Sequence, residues 1–344
     1  MKNKTLADTA ASIVAPGKGI LAADESSPTI KKRFDSINTE STEDNRRNYR
    51  EMLFSTKNIS RYVSGVILFD ETIYQNSSDG TPLVEVLTDQ GIIPGIKVDK
   101  GAKPLAGHPN ETITEGLDGL RERLAKYVEA GARFTKWRAV ISIGDGIPSS
   151  YCIQANAHAL ARFASLSQEA ELVPIIEPEV LMDGEHSIDA CYAATESVLR
   201  EVYSQLEQCR VDLKGTLLKP NMVISGKSAS KRANAEEVAK ATVSCFKDTV
   251  PSIVPGIVFL SGGQSDNESI MNLDAINKYA KNVGAPWELS FSYGRGLQAA
   301  PLNAWGGKSD QQKTAQNVFF QRALVTSAAR NGSYDPSMEA AFNY

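Results

Sequence analysis

Two periods of apolar residues run along the chain. Eight short aliphatic or β-branched runs, each closed by a glycine or a charge, read as strands: residues 19–24, 63–70, 93–100, 134–141, 172–180, 215–223, 256–263 and 288–295. The segments between them repeat their apolar residues at helical spacing. Leu117, Leu120, Leu124, Tyr127 and Val128 share one face of one such segment, and Val198, Leu199, Val202 and Leu206 one face of another. Helix starts are marked chemically by Ser265 with Glu268 three residues on, and by Asn234 with Glu237. Near-continuous apolar strands alternating with helices predict a parallel sheet covered on both faces. Eight such units in this length predict a closed (β/α)8 barrel. The competing open doubly wound sheet is disfavoured because no GxGxxG turn follows the first run. No repeat, low-complexity tract or linker divides the chain, so residues 1–344 are expected to form one barrel domain with a mobile tail at about 335–344.

Composition narrows the function. The 37 Lys and Arg against 41 Asp and Glu leave a formal charge of −4, and no long basic cluster occurs. This disfavours nucleic acid and membrane surfaces as partners and points to a small molecule. Four cysteines, Cys152, Cys191, Cys209 and Cys245, form no CxxC pair and read as reduced thiols. No apolar stretch approaches the roughly 18 residues of a membrane span, and the chain opens without an apolar leader. A cytoplasmic protein is expected, although a plastid leader removed on maturation would leave no trace.

The positions of the charges carry the chemistry. Lys97, Lys136, Glu177, Glu179 and Lys219 lie within or at the end of otherwise buried runs, where unpaired ions are costly. A single strand-end lysine is most often solvated or paired. Three lysines and two carboxylates gathered at one barrel mouth predict an active site. Glu177 and Glu179, on one strand, are expected to face opposite ways, with at most one in the interior. Asp24 ends the first run and competes between helix capping and a role as base. Lys219, between Leu218 and Pro220, is the candidate nucleophile: a neutral amine there would form an imine with a carbonyl substrate. Glu177 would supply acid for dehydration, and Lys136 would stabilise developing negative charge. Ser261, Gly262 and Gly263, with Ser292, Gly294 and Arg295 on the neighbouring run, form a candidate phosphate site. Lys97 and Arg138 are candidates for a second anion. The three histidines, His108, His158 and His186, have no ligand spacing, so no metal cofactor is expected, and the absence of GxSxG disfavours a serine hydrolase.

These segments resemble a known family. GILAADES (19–26), GVILFDETIYQ (65–75), GIKVDKG (95–101), KWR (136–138), EPE (177–179), GTLLKPNMV (215–223), FLSGGQS (259–265) and FSYGR (291–295) are similar, in order, to class I fructose-bisphosphate aldolase. The resemblance spans nearly the whole chain. It implies a (β/α)8 lyase, usually a homotetramer, that cleaves fructose 1,6-bisphosphate without a metal in glycolysis and gluconeogenesis. It places the Schiff base on Lys219, the acid/base on Glu177, a charged partner on Lys136, and Asp24 near the C4 hydroxyl. By the same resemblance Ser261, Gly262, Gly294 and Arg295 form the 1-phosphate site. Lys97 and Arg138 line the other end, with Ser26 and Arg33 nearby, and the terminal Tyr344 aids proton exchange. Where animal members follow ADES with Thr-Gly-Ser, this chain has Ser27, Pro28 and Thr29. Two alternatives stand beside this reading: a transaldolase-like barrel with Lys136 as nucleophile, and a non-catalytic scaffold.

Overall fold

The computed structural model describes residues 5–340. All eight runs form the strands of one closed parallel barrel: β1 (Gly19–Ala23), β2 (Val63–Leu68), β3 (Ile93–Lys97), β4 (Phe134–Ile141), β5 (Val173–Val180), β6 (Leu217–Leu218), β7 (Gly256–Phe259) and β8 (Glu288–Tyr293). Each pairs with its chain neighbours, and β1 closes the ring on β8, with Ile20 opposite Ser292. The run at 215–223 falls furthest short as a strand, with only Leu217–Leu218 in the ladder. Pro220 has no N–H to donate, so the rungs toward β5 end with Lys219 N, which donates to the Ile176 carbonyl at 2.8 Å. Beyond it, side chains take over: Asn221 Oδ1 accepts from Val180 N, and Val223 N donates to Thr242 Oγ1, each at 3.0 Å.

Alternation along the strands builds two cores. Ile20, Ala22, Ile67, Ile93, Phe134, Val173, Ile175, Leu217 and Val258 fill the barrel interior, while Leu21, Trp137, Ile176 and Leu218 face the surrounding helices. The Phe134 ring occupies space left by glycine, since a Cβ at Gly95 would lie 2.2 Å from it. Helix α1 (Leu6–Ile13) contributes Ala10 and Ile13 to the interior cluster and so plugs the end where the strands begin. Both sequence-marked capping boxes are present, at Asn234 and Ser265.

Candidate active site

The apolar filling of the barrel stops one residue pair short of the strand C-termini, and charge replaces it. On β4 the inward series Phe134, Lys136, Arg138 passes from apolar to cationic, and on β5 the series Val173, Ile175, Glu177, Glu179 passes from apolar to acidic. Side chains two apart on a strand share a face, so Glu177 and Glu179 both line the same cavity. The expectation that they divide between opposite faces is corrected by this period. The outward residue between them is Pro178.

Glu177 is the hinge of the buried charges. Its Oε1 lies 3.1 Å from Lys219 Nζ and its Oε2 3.1 Å from Lys136 Nζ, while Lys136 Nζ also reaches Asp24 Oδ2 at 2.7 Å. All four side chains are buried or nearly so. Burial pushes the Asp24 carboxyl up, but Lys136 and Lys219 outweigh it and hold it at about 2. Burial likewise raises the Glu177 carboxyl, and Lys136, Lys219 and Arg138 bring it below the ordinary range. Burial lowers the Lys136 ammonium, and Asp24 and Glu177 reverse this to a net rise. Asp24 and Glu177 are therefore ionised at neutral pH and Lys136 is a cation. The charge closest to Lys219 is the Glu177 carboxylate, at 3.1 Å.

These groups open into a cavity of about 930 Å³ at the C-terminal end of the strands. On one side stand the glycine turn after β7 and the start of the helix Arg295–Trp305. Ser261 Oγ accepts from Gly296 N at 3.3 Å, and Arg295 donates to the Gln264 carbonyl. Ser292 Oγ is buried without a hydrogen-bond partner and Ser292 lines the cavity. Gly263 adopts a φ of +76° against Met182, whose Sδ would be 1.9 Å from a Cβ there; it supports the turn, while Gly262 lines the cavity. Arg33 belongs on this side too, because its Nη2 lies 3.7 Å from where a Cβ on Gly294 would stand. The sequence reading had grouped it with Lys97 and Arg138.

Across the mouth, Lys97 Nζ meets Asp99 Oδ1 at 2.6 Å, and Arg138 Nε donates to Glu179. Both cations thus carry internal counterions. Ser26 is the N-cap residue of helix α2 (Ser27–Asp35), but its hydroxyl bonds Thr29 Oγ1 at 3.1 Å rather than the helix backbone. None of Asp24, Glu25 and Ser26 spends its side chain on capping: Asp24 pairs with Lys136, and Glu25 pairs with Arg33 at 2.5 Å. Tyr344 lies outside the described residues.

Sequence reasoning missed Asp99, Glu25, Gln298 and Arg50. Asp99 carried a readable signal, a carboxylate two residues past a lysine in an apolar run. Gln298 and Arg50 carried none, because their partners are distant in the chain. Among the described residues no group of three or more His, Cys, Asp or Glu side chains is arranged to hold a metal ion, and no helix is long and apolar enough to cross a membrane.

Known proteins share this architecture and sequence. The family profile described as fructose-bisphosphate aldolase class-I matches residues 5–343. A probable fructose-bisphosphate aldolase class 1 of Xanthomonas campestris is 54% identical over 335 residues, covering 97% of this chain and 99% of its own. The cytosolic fructose-bisphosphate aldolase 4 of Arabidopsis thaliana is 53% identical over 325 residues, covering 94% of this chain and 82% of its own. A solved fructose-bisphosphate aldolase from Plasmodium falciparum, in complex with TRAP and a small-molecule inhibitor, superposes with a TM-score of 0.94 at 48% identity, covering 96% of this chain and 95% of that one. A closed barrel with lysine and carboxylate charges at its C-terminal mouth, matched end to end at this identity, leaves one assignment: the chain belongs to the class I fructose-bisphosphate aldolases, lyases that cleave fructose 1,6-bisphosphate to dihydroxyacetone phosphate and glyceraldehyde 3-phosphate.

Proposed function

We propose that Lys219 forms the Schiff base of this cleavage and that Glu177 is the proton carrier that makes it possible. The observation that carries the reading is the Glu177 carboxylate bridging Lys219 and Lys136 at 3.1 Å each. Ionised Glu177 first acts as base, taking a proton from Lys219, whose free amine then attacks the C2 ketone. The carboxylic acid so formed returns its proton to the departing hydroxyl, water leaves, and the protonated imine remains. Glu177 thus works as acid only after it has worked as base.

Asp24 then takes the proton from the C4 hydroxyl as the C3–C4 electrons move into the iminium. Lys136, 2.7 Å from Asp24, steadies the developing alkoxide charge. Glyceraldehyde 3-phosphate departs, and the enamine is protonated at C3 and hydrolysed to dihydroxyacetone phosphate. Tyr344 serves that proton exchange. Ser261, Gly262, Ser292, Gly294 and Arg295, with Arg33 beside Gly294, bind one phosphate at the start of helix Arg295–Trp305, where backbone N–H groups and the helix dipole favour an anion. Lys97, Arg138, Ser26 and Glu179 order the opposite end. Asp24 and Glu177 hold Lys136 as a cation, which makes it a poor nucleophile and disfavours the transaldolase-like route.

The test is borohydride reduction with dihydroxyacetone phosphate in EDTA, followed by peptide mass spectrometry. An adduct at Lys219 is expected, with none after Lys219→Met; an adduct at Lys136 overturns the assignment. The reading extends to a single-domain protein that acts as a cytoplasmic homotetramer without a cofactor, using residues from about 335 onward as a tail. Sedimentation velocity tests the tetramer, and a monomer would contradict it.

A further inference from the structure

A line of alternating charges leads from Arg33 at the cavity wall into the protein. Glu25 Oε1 accepts from Arg33 Nη1 at 2.5 Å and from Gln298 Nε2 at 2.7 Å. Its Oε2 is buried, has no hydrogen bond, and faces Arg50 Nη2 at 3.9 Å. Arg50 is 1% exposed on helix α3 (Glu43–Phe54) and donates from Nη2 to the Glu25 carbonyl at 3.0 Å. Its Nε and Nη1 hold no hydrogen bond, although Nη1 lies 3.6 Å from Glu71 Oε2. Glu71 is in turn gripped by Arg46 through two donors.

An incomplete contact in the middle of this line needs a reason. A buried arginine with unused donors beside a buried carboxylate with an unused oxygen is costly if it stays that way. The gap of 3.9 Å is about 1 Å from a hydrogen bond. Arg33, the outer cation, lines the cavity beside Gly294, and the cavity reaches as far as Glu25 behind it, while Arg50 lies outside the lining. When Arg33 turns to a phosphate there, Glu25 loses its strongest partner inside the protein, and a stranded buried carboxylate would oppose the move.

We propose that Arg50 is a positioning residue that takes over the Glu25 carboxylate as Arg33 turns to the substrate's phosphate, so that a counterion hand-over inside the protein accompanies binding. The proposal rests on the reading of Arg33 as a phosphate ligand. Arg50 itself never touches substrate. The second N–H of its Nη2, the nitrogen that faces Glu25 Oε2 at 3.9 Å, is the reserve that lets Arg33 leave without stranding Glu25, and the first, bonded to the Glu25 carbonyl, keeps the neighbouring Asp24 in register during the exchange.

Steady-state kinetics with fructose 1,6-bisphosphate on folded Arg50→Met, Arg50→Lys, Arg33→Ala and the Arg33→Ala/Arg50→Met double variant test this. Arg50→Met should raise KM about tenfold, the loss of one charge-assisted hydrogen bond, with kcat changed less than about twofold; in the Arg33→Ala background the same change should leave KM almost unaltered. Arg50→Lys keeps the charge but lacks the fork that serves both the Glu25 carbonyl and carboxylate, so its KM should rise about threefold. That variant carries the test if Arg50→Met does not fold. A fall in kcat at constant KM, an unchanged KM in Arg50→Lys, or an equal rise in KM with and without Arg33 overturns the hand-over. An Arg33→Ala enzyme with unchanged KM removes instead the phosphate role of Arg33, and that outcome is visible on its own.

Discussion

Asp24 illustrates how a single side chain is tuned by opposing terms. Desolvation raises its carboxyl, three lysines lower it, and the lysines win, leaving it at about 2 against an ordinary 3.8. Its ionised form therefore stabilises the fold above about pH 4, and that stabilisation fades as pH falls toward 2. The displacement corresponds to about 2 kcal/mol. Asp24→Asn should consequently be less stable by about this amount in urea unfolding at pH 6, with the gap to the parent narrowing between pH 4.5 and 3. A constant gap across that range would show that the loss is packing rather than charge. At this scale Lys136, Glu177 and Lys219 were legible in the sequence because each interrupts an apolar run. Glu25 and Arg50 were not, since a helical arginine looks solvated until the fold shows it 1% exposed against a carboxylate 25 positions away.

Among the elements, the strands owe their shape to small residues placed opposite large ones. Gly95 on β3 leaves room for the Phe134 ring of β4, and a Cβ on Gly65 of β2 would lie 3.2 Å from the same ring. A methyl group at Gly95 would meet a ring held on all sides by buried neighbours. Gly95→Ala should therefore cost about 1–3 kcal/mol by overpacking, read as a lower denaturation midpoint at unchanged m-value. Phe134→Leu in the same chain should recover part of the loss; strict additivity would show that the two sites do not share the space. The alternation of β4 and β5 was readable in principle, since period two puts Glu177 and Glu179 on one face. The early end of β6 follows from Pro220, also visible in the sequence. The short side hairpin, Ala102–Pro104 with Thr112–Thr114, was not foreseen: it is largely exposed or half-buried and shows no apolar period.

The whole molecule separates stability from chemistry along the barrel axis. Helix α1 closes one end through Ile13, which is fully buried in the interior cluster, while the reacting groups stand at the other. Ile13→Ala should cost about 2–5 kcal/mol in thermal or urea unfolding and leave kcat/KM at 25 °C within about twofold. A large loss of activity at full folding would mean that the two ends are coupled. The strand and helix periods, the sites of unusual charge and the motif order were local properties, and the amino-acid sequence by itself determined them: an apolar run with a lysine in it is the same object folded or unfolded. Which charges meet was decided only by the tertiary structure. Closure of the barrel brings Asp24, Lys136, Glu177 and Lys219, spread over nearly 200 positions, within 3.1 Å links. It places Arg33 beside Gly294, and it buries Arg50 next to Glu25 with donors unused. Those contacts depend on strand register and on the path of the loops, and the free energy of an ion depends on its neighbours in space.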